Sequence, residues 1–98
     1  MTEPQLLSDD QITETLRDLP GWEARPGALF REVKAPTFMA GIRLVDEVAE
    51  LAEQLNHHPD IGIRWRTVSF SLSTHVRGGV TQYDVDLARR ITAVVDQL

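Results

Sequence analysis

The 98-residue chain carries a net charge of −5 and 42% apolar residues: enough for one core, and too acidic for a nucleic-acid surface, which needs concentrated Lys and Arg. It has no cysteine, so disulfides and thiolate metal ligands are excluded. Residues 1–7 lack the basic start and apolar run of a leader, and no stretch approaches the roughly 20 apolar residues of a membrane span. The expectation is one cytoplasmic domain over residues 1–98, small enough that self-association would add useful burial.

A first helix is announced at Ser8, which forms a capping-box pattern with Gln11, while Leu7 and Ile12 form a hydrophobic staple. Ile12, Leu16 and Leu19 then share one face, and Pro20-Gly21 stops the helix. A hairpin follows, with strands over residues 22–25 and 29–34 around the turn signal Pro26-Gly27. The second strand is ambiguous in phase, because Leu29 and Phe30 are adjacent and both apolar.

A long helix is expected over residues 37–55, with Thr37 as N-cap. Its polar face holds Arg43, Asp46, Glu47, Glu50, Glu53 and Gln54. The apolar remainder covers about half the circumference, wider than the stripe of about 100° that packs on one sheet. Two readings stay open: a deeply seated core helix, or a Leu44, Val48, Leu51, Leu55 edge that packs on another subunit.

Ile61, Ile63 and Trp65 alternate with polar or small residues, and so do Val68, Phe70 and Leu72. The apolar parity changes between Trp65 and Val68, which predicts a tight hairpin turn near Arg66-Thr67. Thr67, Ser69, Ser71 and Ser73 form a hydroxyl-rich opposite face, which His75 would share if the alternation continued. Gly78-Gly79 marks a loop, and Thr81 with Asp84 makes an acidic capping box for the last helix, stapled by Val80 and Val85. Helix, two strands, helix, two strands, helix reads as α+β, an antiparallel sheet with helices on one face.

The three histidines, His57, His58 and His75, all fall in loops or at element ends, where catalytic groups concentrate. Imidazole both gives and takes protons near neutrality. Glu53, Asp60 and Asp84 are the carboxylates available to orient a ring. Taken singly, each residue has a plainer role. His57 or His58 would partner a helix C-terminus, His75 would be a loop residue, Asp84 a cap and Glu53 a solvated helix residue. A zinc site is disfavoured, since adjacent histidines seldom present both rings to one ion and no HExxH spacing exists. A serine nucleophile is disfavoured too, for Ser71 and Ser73 lie on a plain strand without a GxSxG elbow. Spacing alone reaches a histidine acid–base site and no further.

Glu53, Asn56, His57-His58-Pro59 and Asp60, then Thr74-His75 with Gly79, then Thr81 and Asp84 with Leu87-Ala88, together resemble the pterin-4a-carbinolamine dehydratases. The pattern is an acidic residue before HHP, a strand ending in THxxxG, and a Ser/Thr-x-x-Asp helix start with LA soon after. Gly21-Trp22, Phe30 and Ala49-Glu50 also match, so the resemblance spans nearly the whole chain.

The resemblance implies an α+β fold, a four-stranded antiparallel sheet with three helices on one face, assembled as a homodimer or homotetramer through the long helix. The implied reaction is dehydration of a 4a-hydroxytetrahydropterin to quinonoid dihydropterin, recycling tetrahydrobiopterin for aromatic amino-acid hydroxylases. It needs no metal or organic cofactor, and the implied partner is the pterin substrate, not nucleic acid or membrane. His57 and His75 are the implied acid–base pair, with His58 assisting or binding the pterin. Glu53, Asn56, Pro59, Ser73, Thr74, the Val76 backbone and Asp84 are the implied binding residues, Glu53 and Asp84 also tuning the imidazoles. Ile61 stands where animal members carry Trp, Gly62 replaces a frequent acidic residue, and Tyr83 sits where some members have Arg; these departures bear on the pocket rim. The alternatives are a non-catalytic dimerisation or assembly factor on the same fold, and a different pterin ligand. Retention of all three histidines favours catalysis.

Overall fold

In a computed structural model that describes residues 4–98, the first helix, α1, runs Asp9–Leu16. Residues 1–3 of the stretch read for a leader lie outside the described residues. Both halves of the capping box are made: the Gln11 amide donates to Ser8 Oγ at 3.1 Å, and the Ser8 amide donates to Gln11 Oε1 at 2.8 Å. The helix ends earlier than its apolar spacing predicts. Leu19 lies beyond it, in a turn closed by Asp18 N–H to Thr15 O and Leu19 N–H to Leu16 O, yet it is buried. Pro20 disfavours helical geometry at the residue before it, so a turn delivers Leu19 to the core.

Strands β1 (Glu23–Arg25) and β2 (Ala28–Lys34) pair antiparallel, Arg25 opposite Ala28, leaving Pro26-Gly27 as a two-residue loop. Gly27 has φ +71°, as the position after proline in a type II turn requires. Trp22 lies just outside β1; it is buried and donates its indole N–H to Thr92 Oγ1 at 2.9 Å. The ambiguous phase of β2 resolves with Leu29 and Val33 inward. Phe30 turns to the opposite face, where the Arg25 guanidinium lies 3.5 Å from its ring centroid.

Helix α2 (Phe38–Leu55) is capped by Thr37 Oγ1, which accepts from the Ala40 amide at 3.0 Å. Its buried residues are Ala40, Gly41, Leu44, Val48 and Ala52, essentially one row at i+4 spacing. Leu44 and Val48 have no exposed surface within the chain itself, while Val45, Leu51 and Leu55 are half-buried. The core reading therefore accounts for two of the four residues of the proposed assembly edge.

Strands β3 (Asp60–Arg64) and β4 (Thr67–Leu72) form the second hairpin, and the sheet order is β1-β2-β4-β3 with every neighbour antiparallel. Arg64 pairs with Thr67, so the turn is Trp65-Arg66, one residue earlier than expected. Trp65 belongs to the loop, at φ +54°, and is 71% exposed. The parity change is thus absorbed by a two-residue loop that takes Trp65 out of the apolar row.

Helix α3 (Gln82–Val95) completes the order α-β-β-α-β-β-α of an α+β fold. The inward face of the sheet, Leu29, Val33, Val68, Phe70 and Leu72, joins Leu44, Val48, Val85, Leu87, Ala88 and Ile91 of the helices in one buried cluster. Burying side chains of this size stabilises by about 1.5–3 kcal/mol each before the entropy of ordering is counted. Among the described residues no helix is long and apolar enough to cross a membrane.

Candidate active site

Three chain segments that end at the same edge of this core supply the site. The first is the C-terminus of α2. Asn56 adopts the left-handed conformation, φ +49°, and the His57 amide reaches back to the Ala52 carbonyl at 3.0 Å. This is the six-to-one bond of a Schellman-type end, for which Asn is among the few tolerated non-glycine residues. The helix stop itself therefore fixes where His57 leaves the backbone. Pro59 then keeps the chain extended into β3.

The second segment follows β4 and explains the THxxxG spacing. Thr74 forms an antiparallel bridge with Gly79, its amide donating to Gly79 O at 2.8 Å. Residues 75–78 are the loop so closed, tightened by Arg77 and Gly78 amides donating to Thr74 O, both at 2.9 Å. Gly78 has φ +71°, which a Cβ-bearing residue adopts only with strain. His75 is the first residue of that loop.

The third segment is the start of α3. Thr81 caps the helix, and its amide donates to Asp84 Oδ2 at 2.8 Å, completing the capping box. Val80 and Val85 are both buried, as the staple requires. Asp84 has no exposed surface, and its other oxygen, Oδ1, lies 2.6 Å from His57 Nε2. Cap and histidine partner are therefore one residue, not alternatives.

His57, His58 and His75 all line one hollow of about 300 Å³, together with Asn56, Ser73, Thr74 and Val76. Of the other residues singled out in the sequence, Glu53 pairs with His58 Nε2 at 2.5 Å, Asp84 stands behind His57, and Pro59 is half-buried outside the lining. Tyr83, expected only as a departure bearing on the pocket rim, and Pro4, which was not singled out, also line it. The Tyr83 ring meets His57 edge-on, with centroids 5.7 Å apart at 62°, a favourable aromatic arrangement. The signal for Tyr83 was its place beside Asp84 in the first turn of the last helix; Pro4 had none. Ile61 and Gly62, the other two departures, are not in this lining. A larger hollow of about 630 Å³ lies along the β3–β4 hairpin, lined by Glu32, Arg64, Trp65, Ser69 and neighbours, and contains no histidine. Chemistry, not size, selects the smaller one.

The three imidazoles stand in different surroundings. His57 is 14% exposed at its side chain and braced by a buried carboxylate. His58 and Glu53 form an exposed pair, 56% and 77% exposed at their side chains, in which solvent screens the interaction. The His75 ring is exposed and makes no hydrogen bond or ion pair with any described residue. A carboxylate accepts and does not donate, so neutral His57 carries its proton on Nε2 and leaves Nδ1 as an acceptor. One ring held in a defined tautomer and one in free exchange with water suit a proton taken at one point and delivered at another. Among the described residues no group of three or more His, Asp or Glu is placed to hold a metal ion.

The family model described as pterin 4 alpha carbinolamine dehydratase matches residues 5–94. A protein of Mycobacterium avium, provisionally named pterin-4-alpha-carbinolamine dehydratase, is 57% identical over 90 residues, 92% of this chain and 96% of its own. A Nocardia farcinica protein of the same provisional name is 58% identical over 87 residues, 89% of this chain and 92% of its own. Among solved structures, a transcriptional coactivator/pterin dehydratase from Brucella melitensis superposes with a TM-score of 0.90 at 31% identity, covering 93% of this chain and 99% of that one. A pterin dehydratase-like protein identified as a RuBisCO assembly factor in the alpha-carboxysome shares the fold alone, with a TM-score of 0.64 at 20% identity, over 76% of this chain and 86% of that one.

Proposed function

This chain belongs to the pterin 4 alpha carbinolamine dehydratase family and is a hydro-lyase, and on that premise we propose that His57 and His75 carry the proton transfers of the dehydration. The substrate is a 4a-hydroxytetrahydropterin. His57 takes the proton from the ring nitrogen next to the hydroxyl-bearing carbon, and the electrons of that N–H bond form the new C=N bond. The C–O bond breaks, the departing hydroxyl takes a proton from His75, and water leaves with quinonoid dihydropterin as the product. Net, one water is lost and the protons on the two rings are restored through solvent. Each transfer supplies about 10²–10⁴-fold of rate.

The reading rests on one observation: a hollow shared by the three imidazoles, with a buried carboxylate behind His57 to balance the charge that ring gains on accepting a proton. His58, held by Glu53, binds or assists, and Asn56 and Ser73 lie where polar edges of a pterin can be met. The physiological role proposed is recycling of tetrahydrobiopterin for an aromatic amino-acid hydroxylase in the cytoplasm. The test is a stopped assay of dehydration with chemically made 4a-hydroxytetrahydropterin. Wild type should accelerate it and the His57→Ala/His75→Ala double variant should not; near-normal turnover in the double variant refutes the assignment.

A second reading, a binding factor that works through self-association, is favoured by one feature. Ile61 and Ile63 of β3, an edge strand of the sheet, are 36% and 38% exposed, and Trp65 in the loop that follows is 71% exposed. The Brucella melitensis protein carries both names, coactivator and dehydratase. Self-association as a dimer or tetramer is compatible with either reading and is measured by sedimentation equilibrium. A wild type inert at high enzyme concentration leaves the binding role as the sole reading.

A further inference from the structure

Asp84 Oδ2 accepts two hydrogen bonds that the proton transfers do not use: the Thr81 amide at 2.8 Å and the Thr74 hydroxyl at 2.9 Å. The Thr74 and Thr81 hydroxyls are themselves 2.7 Å apart, and Thr81 Oγ1 accepts from the Tyr83 amide at 3.2 Å. A hydroxyl has one proton. Since Thr74 donates to the carboxylate, Thr81 must be the donor in the threonine pair. The order is then single-valued: Tyr83 N–H to Thr81, Thr81 O–H to Thr74, Thr74 O–H to Asp84 Oδ2, and His57 Nε2–H to Asp84 Oδ1.

Thr74 and Thr81 are 4% and 0% exposed, so this chain of donors is shielded from bulk solvent. A core position of this kind would ordinarily be valine. The hydroxyl needs a reason, and among the described residues it donates to the carboxylate that holds His57. Through its backbone, meanwhile, Thr74 closes the bridge to Gly79 that sets the His75 loop. One residue thus touches the supports of both rings.

We infer that Thr74 is a positioning residue for the dehydration: its hydroxyl, ordered by Thr81, orients Asp84 and so holds His57 as the Nε2–H tautomer with Nδ1 as the base. This rests on the proposed function for its catalytic consequence, but the tautomer does not. The experiment compares wild type, Thr74→Val and Thr74→Ser by imidazole proton–nitrogen correlation spectra and by kcat and KM for 4a-hydroxytetrahydropterin. Valine keeps the shape and removes the donor. Thr74→Val should lose the dominant Nε2–H signature of His57 and drop kcat about ten- to a hundredfold, the common cost of losing a group that orients a functional imidazole. Thr74 lines the hollow, but its hydroxyl proton is committed to Asp84, so removing that hydroxyl should leave KM within about twofold. Thr74→Ser should restore the signature and most of kcat.

Unchanged tautomer and kcat in Thr74→Val overturn the inference. If that variant does not fold, wild type decides: its His57 must be the Nε2–H tautomer and the Thr74 hydroxyl proton must exchange slowly, and failure of either overturns it equally. A wild type without dehydratase activity sinks the proposed function, while the spectra still test the hydroxyl chain on its own.

Discussion

His57 Nε2 lies 2.6 Å from Asp84 Oδ1, and that aspartate is wholly enclosed. The two come from the C-terminus of one helix and the first turn of another, so the contact ties together the ends of α2 and α3 as well as orienting a ring. Replacement by Asn leaves the shape and reverses the hydrogen-bond sense. The amide oxygen must face the Thr81 amide and Thr74 hydroxyl, which turns its NH₂ toward His57 Nε2 and forces the proton to Nδ1. Asp84→Asn should fold and lose about 10²–10⁴-fold in kcat, the range spanned by misplacing a general base and by the wrong tautomer in a triad. Turnover at saturating pterin with a thermal melt on the same sample checks both halves.

The two histidines proposed as the acid–base pair should separate activity from stability. His75 is exposed and without a partner among the described residues, so His75→Ala should change stability by no more than about 0.5 kcal/mol while reducing turnover. His57→Ala removes a partner from a buried carboxylate and should cost about 1–3 kcal/mol in addition to activity. Urea unfolding of both variants beside their dehydration rates tests the contrast. Equal destabilisation by the two would contradict the geometry.

Glu53 offers the opposite case. Its pair with His58 is exposed on both sides, where solvent screens charge and the median contribution is about 0–1 kcal/mol. Glu53→Gln is expected to leave stability within about 0.5 kcal/mol and turnover within about threefold, with the larger effect on KM if His58 binds substrate. A loss as deep as that of Asp84→Asn would show that exposure misjudges this carboxylate.

Much of this site could be read before the fold was known, because its parts sit at element ends with strong local signatures. Ser8, Thr37 and Thr81 each cap a helix, and the capping boxes fixed the starts. The HHP and THxxxG segments named three imidazoles that meet around one hollow. What local pattern did not carry was decided by tertiary contact. Leu19 keeps helical spacing and is delivered by a turn. Trp65 keeps strand alternation and stands in the hairpin loop. Phe30 faces away from the core because Arg25 covers it across the hairpin. Tyr83 has the same character: a first-turn helix residue becomes a wall of the hollow only because the end of α2 lies beside it. The dual role of Asp84 could not be settled from spacing either, since a capping box and a histidine partner ask for the same residue type.

Asn56 separates backbone from side chain in the same hollow. It lines the cavity, and it also adopts φ +49° at the stop that aims His57. If its importance is conformational, Asn56→Gly should be tolerated, because glycine takes the left-handed region freely. Asn56→Val should cost about 1–2 kcal/mol, the penalty for a side-chain Cβ in that region, and turnover should fall with it as the His57 amide loses its bond to Ala52 O. If instead its amide binds the pterin, both variants lose it alike, and KM rises similarly in each while their stabilities differ. Measuring KM and the urea midpoint for the two variants distinguishes the roles. The geometry favours the first: glycine close to wild type in kcat, valine impaired, and the gap between them tracking the loss of the helix stop and not the loss of a polar contact.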